Sequence, residues 1–153
     1  MRIMGSDGSL FEMSILGYQF PKLQTEEYDS NWLRIRIHVV HPQGEWSSID
    51  PSLLTYEVDA LATWFADIVR GRSVATEMAF TEPNLSFQLL DHGRNAKSLR
   101  IYFELESRPT WARSEIVPSE DLWVEFLLSE VNLGDAAEAL RADLAQYPQR
   151  AGR

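Results

Sequence analysis

Two glutamates, Glu104 and Glu106, come closest in this chain to a catalytic pair. They stand two apart in an alternating segment that predicts a strand, so their side chains would share one face, roughly 7 Å apart. That separation overlaps the range that inverting glycosidases need between their two carboxyl groups. The pair is also the polar complement of an apolar strand face, and Arg100 on the same side can neutralise Glu104. A solvated charged face is therefore the favoured interpretation, and a hydrolase is the minor alternative.

The other residues with reactive side chains do not form a recognisable site. His38 and His41 flank a predicted strand end on opposite faces, and a zinc site would need a further ligand nearby. The chain has no cysteine and no Gly-x-Ser-x-Gly segment. The glycines of segment 5–8 enclose an acid and precede a strand, whereas a phosphate-binding loop precedes a helix. We therefore predict no enzyme activity, no cofactor and no metal.

Apolar and polar residues alternate along most of the chain and predict the elements that would position a site. The predicted strands cover 10–20, 32–40, 46–49, 76–80, 85–90, 99–106 and 122–128. Helical spacing predicts one helix from Glu57 to Val69 and a second that Asn132 caps and Pro148 ends. We expect Pro51 to end the third strand and the tail 149–153 to fray. Short connections favour antiparallel pairing. The predicted fold is therefore α+β, a mainly antiparallel sheet with two helices packed on one face, in a single domain of residues 1–153.

The charge of the chain excludes one class of partner and favours another. It carries 23 acids against 14 bases, a net charge of −9. Such a chain repels a phosphate backbone, so no nucleic acid is expected, and a macromolecular partner would be a basic protein. Residues 101–143 alone hold ten acids against three arginines, a density that can steer a cationic protein. Solubility by itself would also account for the net charge.

The sequence also carries no signal for export or membrane insertion. It has no cysteine for disulfides, and no apolar run reaches the roughly 18 residues of a membrane span. Segment 1–7 meets an acid and a turn too early for a signal peptide. We therefore expect a cytoplasmic protein that binds no membrane.

Several separated segments resemble the WapI-family immunity proteins. The segments are Gly17-Tyr18-Gln19-Phe20-Pro21, Tyr28-Asp29-Ser30-Asn31-Trp32-Leu33, Trp46, Asp50-Pro51-Ser52-Leu53-Leu54-Thr55, Glu57-Val58, Trp64, Phe80-Thr81-Glu82-Pro83-Asn84-Leu85-Ser86-Phe87, Ile101-Tyr102-Phe103-Glu104-Leu105-Glu106, Pro109-Thr110-Trp111 and Tyr147-Pro148-Gln149-Arg150. Their order and spacing cover the chain from about residue 10 to residue 150. The motifs look architectural, and the resemblance brings no catalytic residues with it.

The resemblance implies a small cytosolic protein that binds and blocks the RNA-cleaving domain of a toxin delivered by neighbouring cells. The expected function is thus inhibition of a cognate, nuclease-type toxin domain by occlusion. The alternative is a small structural or regulatory domain with an unidentified partner, which self-associates through an open sheet face. The candidate partner-binding residues are the aromatic anchors Trp111 and Trp123 and the acids Glu26, Glu27, Asp29, Glu104, Glu106, Glu120, Asp121 and Glu125.

Overall fold

The computed structural model describes residues 1–112, 117–118 and 121–151. The strands are β1 (Arg2–Met4), β2 (Leu10–Tyr18), β3 (Trp32–His41), β4 (Gly44–Leu54), β5 (Glu77–Ala79), β6 (Leu85–Asp91), β7 (Lys97–Phe103) and β8 (Trp123–Leu127). The helices are α1 (Thr55–Val69), between β4 and β5, and α2 (Leu133–Gln146), after β8. Short 3₁₀ turns cover Asp29–Asn31, Leu105–Ser107 and Thr110–Ala112.

The strands form two antiparallel sheets, each with its strands in sequence order. The first sheet has the order β1-β2-β3-β4 and the second β5-β6-β7-β8. The α+β class and the antiparallel pairing are confirmed, but α1 interrupts the series of hairpins after β4, and the chain then starts a second sheet. The sheets stack on each other, because the ring of Phe11 in β2 lies 6.0 Å from the rings of Phe87 and Phe103 in the second sheet.

The two helices pack against each other and complete the core. Phe65 of α1 lies 5.8 Å from Phe87 of β6, while α2 contacts β1 and β2. One hydrophobic cluster includes buried residues of both sheets and both helices. The predicted cap of α2 is confirmed, since Asn132 Oδ1 accepts a hydrogen bond from the Asp135 N–H at 3.1 Å. No helix within the described residues is both long and apolar enough to cross a membrane.

Strand β4 continues through Pro51, which corrects the expected break. Ile35 pairs with Asp50, but Leu33, two residues earlier in β3, pairs with Leu53. The extra residue in β4 forms a bulge, and β4 lies at the edge of its sheet. Because a proline has no N–H to donate, a bulge on an edge strand is one of the few places where a sheet tolerates it.

The C-terminal segment as far as Ala151 is held in place, against the expectation that it frays. The Arg150 N–H donates to Asn31 Oδ1 at 2.8 Å, and the Arg150 guanidinium donates to three carbonyl oxygens in segment 20–23. The same guanidinium lies 3.4 Å from the centroid of the Tyr18 ring. Tyr18, Asn31 and Arg150 belong to three separate segments of the family resemblance, so the fold joins segments that are far apart in sequence.

Candidate functional site

The candidate site is the outer face of the second sheet, which points away from the core. On β7 and β8 the inward side chains are almost fully buried; these are Leu99, Ile101, Phe103, Val124 and Phe126. The alternate positions Arg100, Tyr102, Trp123 and Glu125 therefore face outward, and each is only half-buried. The register places Arg100 opposite Glu125 and Tyr102 opposite Trp123. The outer face thus presents an aromatic and charged group to solvent.

Arg100 lies at the centre of this face and is held from two sides. Its guanidinium carbon lies 3.9 Å from the centroid of the Trp123 ring, in cation–π geometry. Its Nε donates to Glu125 Oε1 at 3.2 Å, and the same oxygen accepts from the Ser98 hydroxyl at 2.7 Å. The Ser98 hydroxyl also lies 2.7 Å from His92 Nε2. These contacts restrict the rotamers of Arg100 and Trp123.

A second chain of hydrogen bonds extends the network toward β5. The Tyr102 hydroxyl donates to Gln88 Oε1 at 2.9 Å, and Gln88 Nε2 donates to Glu77 Oε1 at 3.4 Å. These three residues, with Glu104 at one end, line a groove of about 410 Å³. This groove adjoins the cluster of Arg100, Trp123 and Glu125, and together they form one surface across strands β5 to β8.

An acidic cleft lies beside the Trp123 edge of the face. It has a volume of about 390 Å³, and its lining includes Asp7, His41, Asp121, Trp123 and Glu125. Burial lowers the pKa of His41, and the His41 Nδ1 accepts a hydrogen bond from a backbone N–H at 3.0 Å. Hydrogen bonds from a neighbouring serine lower the pKa of Asp7, which keeps that carboxyl ionised. With a neutral His41 imidazole and the ionised Asp7, the cleft favours a cationic group.

Trp111 lies near the cleft and is partly held in the structure. Its ring packs over Gly44, 5.8 Å from the ring of Trp46 in edge-to-face geometry and 6.3 Å from the ring of His41. The residue is 38% exposed. Both predicted aromatic anchors, Trp111 and Trp123, thus stand close to His41.

The expected strand pair of Glu104 and Glu106 does not form. Strand β7 ends at Phe103, and Leu105 has a positive φ of 49°, which begins a 3₁₀ turn. Glu104 pairs with the buried Arg108 at 3.4 Å, whereas Glu106 accepts a hydrogen bond from Asn84 at 3.2 Å. The two carboxylates therefore serve different local contacts and do not flank a common substrate position.

The acids of segment 101–143 that the structure describes lie on several different surfaces. Glu104 and Glu125 pair with arginines, and Glu130 accepts a hydrogen bond from the Ser6 hydroxyl at 2.8 Å. Asp135 and Glu138 lie on α2. Glu120 lies outside the described residues. The members of the predicted set that lie at or near the cleft are Trp111, Asp121, Trp123 and Glu125.

The loop acids Glu26, Glu27 and Asp29 lie at the opposite end of the first sheet. All three are exposed and precede the start of β3, whereas His41 of the cleft ends β3. A strand of this length separates the two places by roughly 30 Å. The predicted residues therefore divide into two groups, and a partner of ordinary size would meet one group first.

Sequence reasoning missed the roles of Arg100, Tyr102 and Gln88. Alternation had placed Arg100 and Tyr102 on the outer face of their strand, which was the available signal. Their partners across the sheet follow only from the register of β6, β7 and β8. Within the residues that the structure describes, no three histidine or acidic side chains are arranged to hold a metal ion.

Comparison with known families gives one clear result. The sequence model of the "Immunity protein WapI-like family" matches residues 2–148. No curated protein and no solved structure matches the chain. The family match takes in every strand and both helices, including the outer face and the cleft. The chain therefore belongs to the WapI-like immunity protein family.

Proposed function

We propose that this protein binds a cognate toxin domain and inhibits it by covering its working surface, without itself catalysing a reaction. Membership of an immunity protein family supports the immunity role. The observation that carries the proposed mode of binding is the pre-ordered outer face, in which Arg100 is stacked on Trp123 and hydrogen-bonded to Glu125.

The composition of the outer face suits a protein interface. Tryptophan, tyrosine and arginine dominate the residues that contribute most to protein–protein affinity. Arg100, Tyr102 and Trp123 supply one of each within two neighbouring strands. Because hydrogen bonds and stacking already restrict these side chains, binding costs less conformational entropy than it would at a mobile surface.

The charge near the face favours a basic toxin domain. The chain as a whole carries −9, and the cleft beside Trp123 contributes the carboxylates of Asp7 and Asp121. A nuclease domain is positive where its substrate phosphates bind, so an acidic protein can attract that surface and cover it. We expect the protein to bind the toxin domain in the cytoplasm, because a chain without cysteines needs no disulfide bonds and is suited to that reducing compartment.

The decisive experiment pairs this protein with a candidate toxin domain, taken first from the genes that neighbour its own. The two proteins are co-expressed to measure growth rescue, and the dissociation constant is measured by calorimetry with an inactivated toxin domain. We expect Trp123→Ala to weaken binding by about 30-fold or more, the effect of truncating a central interface residue. Arg100→Ala is expected to act in the same direction.

Tyr28→Ala provides a matched control, because Tyr28 is a 56% exposed aromatic residue in the loop at the far end of the first sheet. This change is expected to leave affinity unaltered. If Tyr28→Ala weakens binding while Trp123→Ala does not, the contact surface lies at the loop of Glu26, Glu27 and Asp29 and the proposed face is wrong. Absence of both binding and growth rescue with the neighbouring toxin would refute the proposed partner.

A further inference from the structure

The outer face of the first sheet differs in charge from the rest of the molecule. It carries Arg2, Arg34 and Arg36 against Glu12 and Glu45, a local charge of +1 in a chain of −9. Side chains alternate between the two faces of a strand, and Ile35 and Ile37 of β3 are buried on the inner face. The charged residues between them and on the neighbouring strands therefore point outward. A second copy of this acidic protein would therefore meet less electrostatic repulsion at this face than elsewhere on the molecule.

The charges on this face are sorted along the strands. Arg34 and Arg36 lie toward the start of β3 and form no ion pair with any residue in the described part of the chain. Glu12 and Glu45 lie toward its other end, where both approach His38, at 3.1 Å and 2.6 Å, and where Arg2 pairs with Glu12 at 3.4 Å. One end of the face therefore carries two arginines that are unpaired within the described chain, whereas the other carries two glutamates against one arginine and is weakly anionic.

Exposed apolar side chains accompany the charges. Ile49 is 52% exposed and lies directly across from Arg36, Leu16 is 41% exposed at the β2 bulge, and Met4 is 53% exposed on β1. Arginine beside exposed apolar groups is a composition typical of protein interfaces.

We propose that two copies of this protein associate through the outer face of the first sheet, about a two-fold axis that runs across the strands. Such an axis reverses the strand direction, so the cationic end of each copy meets the anionic end of the other. In this arrangement Arg36 lies over His38 of the second copy and reaches its neighbour Glu12 on β2, and Arg34 lies over Val40 and reaches its neighbour Glu45 on β4. The arrangement is isologous, so every contact occurs twice and the assembly closes at a dimer.

The area of the face is sufficient for a modest dimer. The long strands β2, β3 and β4, spaced by about 4.8 Å, and the three-residue β1 present roughly 500 Å² per copy, or about 1,000 Å² in total, which is the lower limit for a specific interface. The negative charges elsewhere on the two copies are separated by more than the screening length of about 8 Å at physiological salt. We therefore expect a dissociation constant of roughly 10–100 µM, which rises with added salt.

The dimer would leave the proposed toxin-binding face free. The two sheets stack with Phe11 between them, so their outer faces point in opposite directions. Association through the first sheet thus leaves the Trp123 face of each copy open, and one dimer can bind two toxin domains. The dimer itself does not depend on the identity of the toxin.

Two charge-reversal variants test the arrangement by sedimentation equilibrium. R34E/R36E makes the face wholly acidic at these four positions, and E12K/E45K makes it wholly basic. We expect the wild-type protein to dimerise at about 100 µM, and each variant alone to dimerise at least about tenfold more weakly. Mixing the two variants should restore association, because acidic ends then meet basic ends at both contacts.

Further measurements keep folding and binding apart. Thermal unfolding of each variant shows that the fold is retained, and Ile49→Asp should weaken the wild-type dimer without altering any of the four charges. A wild-type protein that stays monomeric at 100 µM, or two variants that fail to associate when mixed although folded, would overturn the proposal. Dimerisation with intact affinity in R34E/R36E would also overturn it, by placing the interface elsewhere.

Discussion

Replacing Asn31 by alanine removes the residue that ties the C-terminal segment to the rest of the fold. Asn31 is 0% exposed. Its Nδ2 donates to the carbonyl oxygens of Glu27, Arg150 and Ala151 at 2.7, 3.2 and 3.1 Å. Its Oδ1 accepts from the Thr55 hydroxyl at 2.9 Å and from the Arg150 N–H at 2.8 Å. One side chain thus joins the loop before β3, the start of α1 and the tail.

The expected loss follows from counting these bonds and subtracting what the mutant regains. The two amide hydrogens and two acceptor bonds contribute about 1 kcal/mol each, or about 4 kcal/mol. The tail carbonyls can turn to water and the tail gains conformational entropy, which together return about 1–2 kcal/mol. Asn31→Ala should therefore lower the free energy of unfolding by about 2–3 kcal/mol, or the Tm by about 5–10 °C for a domain of this size.

Urea denaturation followed by tryptophan fluorescence measures this change. Thr55→Val, which removes one of the same bonds, should cost only about 1 kcal/mol. In a chain that ends at Gln149, of these bonds only those to Glu27 and Thr55 remain, so Asn31→Ala should cost about 2 kcal/mol there, no more than in the full chain. A change below about 0.5 kcal/mol in the full chain, or a larger change in the truncated chain, would refute the reasoning.

Three other changes follow from the structure. Glu57 accepts hydrogen bonds from the Leu54 N–H at 2.9 Å and from the N–H and hydroxyl of Thr81 at 2.7 and 2.8 Å. Glu57→Ala should therefore lower the unfolding free energy by about 2 kcal/mol in urea titrations. The control Asp59→Ala, on the exposed side of α1, should leave the unfolding free energy nearly unchanged. Glu104→Ala, which removes the carboxylate that pairs with the buried Arg108, should lower the unfolding free energy by about 1–3 kcal/mol in the same assay, and Arg108→Lys should also be destabilising because an ammonium group cannot replace the guanidinium's several hydrogen bonds. Two glutamate side chains hydrogen-bond His38 and raise its pKa above the usual 6.5, whereas burial lowers the pKa of His41, so NMR titration of the ring protons should give midpoints on opposite sides of pH 6.5. The contribution of His38 to stability is then present below pH 6.5 and is lost as the pH rises through its folded pKa. His41 acts in the opposite direction and reduces stability as the pH falls below 6.5. Two coincident titration midpoints would contradict these assignments.

The local pattern predicted most strands because alternation is a property of neighbouring residues. The alternation of Leu33, Ile35 and Ile37 predicted β3, and the spacing of apolar residues predicted both helices. Strand β1 was not predicted, because three residues are too few to show a period. Strand β4 runs longer than predicted, because whether Pro51 ends a strand depends on the strand being at an edge, which no local pattern records.

The candidate site was predicted only in part. Asp121, Trp123 and Glu125 were proposed as partner-binding residues by residue type, and the structure brings them together with His41, which was not proposed. Glu104 was identified by type as well, but it pairs with Arg108 because the chain leaves the strand at Phe103. The position of that turn depends on a positive φ at Leu105, which a leucine adopts only when its surroundings impose it.

The sequence by itself determined the class of elements, the acidic charge, the cap at Asn132 and the family, because each depends on residue types and their spacing along the chain. Only the tertiary structure decided that the strands divide into two sheets, that Arg100 stacks on Trp123, and that Asn31 binds the tail. These features join residues between about 20 and 120 positions apart. Such contacts depend on strand register and on the stacking of the sheets, which arise from packing the whole core at once.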